Sequence, residues 1–122
     1  WEVDVSKPFQ RGPVTLGFDT FYGISASLDM APFAFMENDR LTAMPTAEKK
    51  WVRNGPAAPD FEAEDVLPAL TRRAVETIAA RAPDAKNGQP FFIYLPYASP
   101  HTPIPATRCR SAPRVSKQLR TV

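Results

Sequence analysis

The stretch PFFIYL, residues 90–95, carries no charge and does not alternate between apolar and polar positions. A half-buried strand would alternate, whereas an unbroken bulky run fits a strand covered on both faces, the pattern of a parallel sheet. What precedes it supports that reading. Leu67, Leu70, Ala74, Ile78 and Ala82 recur at three- and four-residue spacing, with Arg72, Arg73, Glu76 and Arg81 on other faces, which predicts an amphipathic helix. It should start at Glu64 with Asp65 as cap and Pro68 in the first turn, and should stop before Pro83. Helix, loop and buried strand make half of a βαβ unit, so the expected fold class is α/β, with part of a mixed or parallel sheet flanked by helices.

In such sheets ligands gather beyond the carboxyl ends of the strands. His101, the only histidine of the chain, stands just past the apolar run and is flanked by Pro100 and Pro103. The prolines fix φ and restrict the residues before them, leaving the loop fewer conformations to lose. On position alone a loop histidine is more often structural than catalytic, so both readings stay open here.

Upstream of the helix the chain is expected to be mostly irregular. Residues 1–24 read as loop and turn with short extended pieces, and LGFDTFYGI, residues 16–24, as a glycine-bounded aromatic cluster. Pro32 opposes a regular helix over residues 25–40, where a short strand at 33–36 is expected. ENDR, residues 37–40, gathers charge suited to a buried ion pair, a turn or a substrate. Residues 41–64 read as surface loop with one hairpin turning at Asn54 and Gly55.

At 122 residues and 43% apolar content the chain can bury one domain-sized core. Its fourteen prolines against five glycines make the connections stiff. A formal charge of +2 gives no warrant for a nucleic-acid or membrane partner. From Pro105 onward there are five basic residues and no acid, so the basicity belongs to the tail. The single cysteine, Cys109, excludes an internal disulfide framework and a cysteine-based zinc site. No apolar run approaches the length of a bilayer span. Opening on Trp1, the chain is expected to be an internal piece of a longer protein.

Three strings, GPVTLGFDTFYGISASLDMAPFAFMENDR, PAAPDFEAEDVLPALTRRAVETI and PFFIYLPYASPHTPI, occur in this order within residues 1–104. Together they resemble the middle of a type I sulfatase of the bacterial arylsulfatase kind, within the alkaline phosphatase superfamily. The resemblance implies a sulfuric ester hydrolase on an alkaline phosphatase-like α/β fold, with residues 1–104 forming part of its N-terminal catalytic domain. It implies that His101, in the Pro-His-x-Pro segment, donates a hydrogen bond to the substrate sulfate and assists departure of the alcohol. It also implies that Ser27, in the ISASLD stretch, lines the same pocket. The substrate would be a small sulfate ester or a sulfated glycan, and the whole enzyme would be periplasmic or extracellular.

The same resemblance implies calcium and a formylglycine nucleophile, but neither the metal ligands nor a Cys-x-Pro-Ser-Arg type signature is found in this chain. Cys109, in TRCRSAPR, has the wrong neighbours. The chain alone is therefore expected to be inactive toward an aryl sulfate. Residues 105–122 are expected to be disordered and functionally empty, with the composition of a shifted reading frame and a nucleic-acid-binding arm as the alternative. Two rival readings stand beside the sulfatase: a phosphodiesterase or phosphonate hydrolase of the same superfamily, and a noncatalytic module in which His101 and Ser27 only hold an anion.

Overall fold

The computed structural model describes residues 4–50 and 52–98. It is a small α/β fold with two antiparallel sheets and one long helix. Strand β1 (Tyr22–Ile24), β2 (Phe35–Glu37) and β3 (Arg40–Leu41) form a three-stranded meander, with Tyr22 opposite Glu37 and Glu37 opposite Arg40. Strands β4 (Ala47–Lys50) and β5 (Asn54–Ala57) form a separate hairpin, and helix α1 (Ala63–Lys86) follows.

Local chemistry explains the short strands. Only Asn38 and Asp39 separate β2 from β3, and Asn38 has φ +55°, a conformation that asparagine tolerates better than most residues and that two-residue hairpins demand. ENDR is thus a turn. Asn38 also fastens the preceding segment, because its side-chain oxygen accepts the Phe21 N–H at 3.0 Å and its own N–H donates to the Phe21 carbonyl at 2.8 Å. Ahead of β1 a 3₁₀ turn, Pro13–Leu16, ends at Gly17, whose φ of +105° is open to glycine at little cost.

The two sheets meet where the β1–β2 connection ends. The Phe33 N–H donates to the Pro56 carbonyl and the Ala58 N–H to the Phe33 carbonyl, both at 2.9 Å. Around that seam lies the core: Leu28, Phe33, Ala57, Phe61, Val66 and Leu70 are buried together. Phe61 stacks on Phe33 with ring centroids 6.2 Å apart and meets Phe35 at 5.3 Å, and Phe35 in turn stacks on Tyr22 at 5.6 Å. Lys49 ties the hairpin to the helix start by donating to the Phe61 carbonyl at 2.5 Å and to the Glu62 carboxylate at 2.6 Å.

Helix α1 buries Val66, Ala69, Leu70 and Ala74, a three- and four-residue stripe confined to its first half. The expected stripe was displaced and too long. Leu67 is half-buried and Ile78 is exposed, because the sheets are too small to cover more than about half of the helix. The cap also differs: Glu62 holds the N-cap position in an extended conformation without a side-chain bond, while Asp65 sits in the first turn. Both prolines lie inside the helix. Pro83 does not end it, since the final carbonyls find donors just beyond: the Asn87 N–H reaches Pro83 and Asp84, and the Gly88 N–H reaches Ala85.

Further expectations are corrected. The short strand of the 25–40 region forms at Phe35–Glu37 instead of 33–36. Lys50 pairs with Asn54 and Lys49 with Gly55, so Asn54 and Gly55 belong to β5 and not to the turn. Residues 90–95 join no sheet; Phe92 is 77% and Tyr94 69% exposed. A buried parallel strand needs neighbours beside it and layers on both faces, and the described strands pair antiparallel, with a parallel bridge only between Phe33 and Ala57, away from residues 90–95.

Arg73, expected away from the apolar stripe of the helix, is half-buried. Its guanidinium pairs with Glu37 and lies 4.7 Å from the centroid of the Tyr22 ring, linking α1 to the meander. Both partners keep substantial exposure, so Arg73→Ala is expected to cost about 1 kcal/mol. Urea titration at low and high salt checks this, and the ionic part of the loss should shrink as salt is added.

Candidate functional site

Ser27 lies on the connection between β1 and β2, which leaves the sheet at Ile24 and returns at Phe35. The connection is held by apolar and main-chain anchors. Leu28 is buried in the core, the Met30 N–H donates to the Ser27 carbonyl at 3.2 Å, and the Ser25 hydroxyl donates to the Pro32 carbonyl at 3.2 Å. With Leu28 turned inward, Ser27 and Asp29 on either side are half-buried.

The Ser27 hydroxyl donates to the Asp29 carboxylate. Arg53, from the β4–β5 hairpin, approaches the other oxygen of that carboxylate, its Nε 3.9 Å away. The carboxylate is only 20% exposed while the guanidinium is 68% exposed, so the cation reaches in from solvent toward a sheltered acid. A hydroxyl donor and a guanidinium are the groups that recognise a tetrahedral oxyanion. Here one carboxylate draws both together.

An open cavity of about 450 Å³ is lined by Ser25 and Pro32 of the same connection together with Phe9, Phe21, Ile24 and Met36, with Arg11 among its further walls. Ser25, not Ser27, is the serine that faces it. Ser25 was not singled out in the sequence, and the Ser-x-Ser spacing of ISASLD does not separate it from Ser27: both stand at odd offsets from the buried Leu28, so only the tertiary surroundings distinguish them.

His101 lies outside the described residues, so its distance to Ser27 is not part of this geometry; Cys109 and the basic segment 105–122 lie outside as well. Among the described residues no group of three or more histidine, cysteine, aspartate or glutamate side chains gathers as a metal site, and no helix is long and apolar enough to cross a membrane. Asp29, the sheltered acid of the site, is engaged by Ser27 and Arg53. The chain matches no protein-family profile, no curated protein and no solved structure.

Proposed function

We propose that this chain supplies part of the sulfate pocket of a sulfuric ester hydrolase built on an alkaline phosphatase-like α/β fold, with His101 as catalytic hydrogen-bond donor and Ser27 as a substrate-binding residue. A sulfate monoester carries a negative charge that repels an attacking nucleophile, so the pocket must present cationic and hydrogen-bonding groups before the S–O bond can break. An imidazole titrating near neutrality can neutralise that charge and pass a proton to the departing alcohol. A serine hydroxyl that now donates to a carboxylate would, after reorientation, donate its proton to a sulfate oxygen. Calcium and a formylglycine would supply the nucleophile and its activation, and both would be provided from outside this chain.

The observation that carries the reading is the Ser27–Asp29–Arg53 cluster on the β1–β2 connection. It brings the Arg53 guanidinium of the neighbouring hairpin to the Ser27–Asp29 stretch, whose string, with the later Pro-His-x-Pro segment, resembles the sulfatases. The test is titration of the chain with inorganic sulfate, followed by NMR at the Ser27 amide and the His101 ring. Saturable shifts at both positions are expected, with Ser27→Ala and His101→Ala each weakening the affinity about tenfold, a loss of about 1.4 kcal/mol. Shifts at only one of the two would separate Ser27 from His101 and refute a shared pocket. Stronger response to phosphate than to sulfate would move the reading to the phosphoester hydrolases.

A further inference from the structure

Residues 90–98 form an extended apolar surface segment that has no pairing of its own. Among the described residues, none of its main-chain N–H or C=O groups has a hydrogen-bond partner. Side chains hold it to the body: the Phe92 ring lies 6.4 Å from Phe18, the Tyr97 hydroxyl accepts a hydrogen bond from Thr71 at 3.3 Å, and Ala98 packs against the core at its end. Exposure falls and rises along the middle, Phe92 and Tyr94 standing at 77% and 69% while Ile93 between them is half-buried. That is the period of a strand, with one face leaning on the body and the other free.

A row of unpaired donors and acceptors on a flat apolar strand is a template for another strand. We propose that residues 91–95 pair antiparallel with the same residues of a second copy of this chain. Three observations favour that occupant. From Asn87 to Ala98 there is no charged residue, so two copies meet without like-charge repulsion. An antiparallel pairing of identical segments is self-complementary about a two-fold axis, each strand offering the other what it receives. Phe92 and Tyr94 from the two copies would then come side by side on the exposed face, covering aromatic area that water now meets. Pro90 and Pro96 bound the pairing because neither has an N–H to extend the ladder.

A contact of five residues per copy is small beside the roughly 1,600 Å² of a standard interface, so the association is expected to be weak and to appear as the chain is concentrated. Sedimentation of the full chain over a concentration series reads it, with amide I infrared absorption reporting strand formed between molecules. Growth toward twice the chain mass, accompanied by new intermolecular strand signal, is the expected result. Two substitutions at Tyr94 probe the mechanism, and the helix signal in circular dichroism confirms that both variants keep the fold. Tyr94→Pro removes a ladder N–H that the single copy does not use, and Tyr94→Lys sets a charge against Phe92 of the other copy, with the two like charges diagonal across the pair. Each should weaken association at least tenfold. A chain that stays monomeric at every concentration overturns the proposal. So does association that withstands both changes, or one that Tyr94→Lys abolishes while Tyr94→Pro leaves it intact, since that would be side-chain docking without a shared ladder.

Discussion

Replacing Phe61 with alanine is expected to remove about 3–5 kcal/mol of stability. Phe61 is 4% exposed and is the one ring that touches both layers of the aromatic cluster, Phe33 at the sheet seam and Phe35 in β2. Few other large side chains can compensate. Of the ten buried apolar residues described, five are alanines, so the volume of the core rests on two phenylalanines, two leucines and one valine. Removing a ring from so small a core leaves a cavity that the alanines around it cannot fill. Single domains are stable by only about 5–15 kcal/mol, and a loss of 4 kcal/mol corresponds to roughly 15–30 °C in melting temperature at this size. Thermal melts followed at the helix band check it. Phe61→Leu keeps most of the volume and should fall between the variant and the parent, whereas a melting temperature for Phe61→Ala within about 3 °C of the parent would show that Phe61 does not join the layers.

The weight borne by Phe61 could not be read beforehand, and the reason is physical. Helix α1 was legible because a packed helix repeats its apolar contacts every three or four residues, and Leu70 and Ala74 obey that spacing. Its ends were not, since the cap and the tolerance of Pro83 depend on which donors the following residues bring back. A hairpin within residues 41–64 was expected, but its turn and register were not legible: Asn54 and Gly55, expected to turn, stand in β5, because pairing Lys49 with Gly55 is decided by the alternation of buried positions across both strands. PFFIYL misled most. Apolar side chains record what a segment can bury, and not whether neighbours exist to bury it.

The candidate site divides in the same way. Ser27 and Asp29 are two residues apart, a spacing at which side chains on one loop readily meet, and Ser27 was legible as a pocket residue only through the resemblance of its string to sulfatases. Arg53 belongs to another hairpin and reaches Asp29 through tertiary structure alone. Contacts of that kind leave no local trace in sequence. The exposed Arg53 had no feature that set it apart from the other basic residues of the chain.

Gly55→Ala is expected to be the most disruptive change of a single methyl group, because of where the glycine stands relative to the site. Gly55 is buried in β5, facing the β1–β2 connection, and a methyl group built on it would fall well inside the contact distance of the Ala31 Cβ. Carbon atoms in contact sit about 3.5–4.0 Å apart. The obstructing atom is itself a Cβ, with no rotamer into which it can swing, so relief requires one backbone to move away from the other. Overpacking of this kind costs about 1–3 kcal/mol. The displacement would fall on the connection that carries Ser27 and Asp29, two residues ahead of Ala31, and would pull Asp29 from Arg53 on the hairpin side. The variant should therefore lose both stability and sulfate response at Ser27. Removing the opposing methyl tests the cause: Gly55→Ala combined with Ala31→Gly should recover about 1–2 kcal/mol relative to the sum of the single changes. Gly12→Ala serves as the control, since a methyl there meets nothing within 4 Å and its φ of −176° is extended backbone open to any residue. It should shift stability by no more than about 0.5 kcal/mol. If Gly55→Ala were as mild as Gly12→Ala, the hairpin and the connection would not be in contact as described, and Arg53 would have no fixed place beside Asp29.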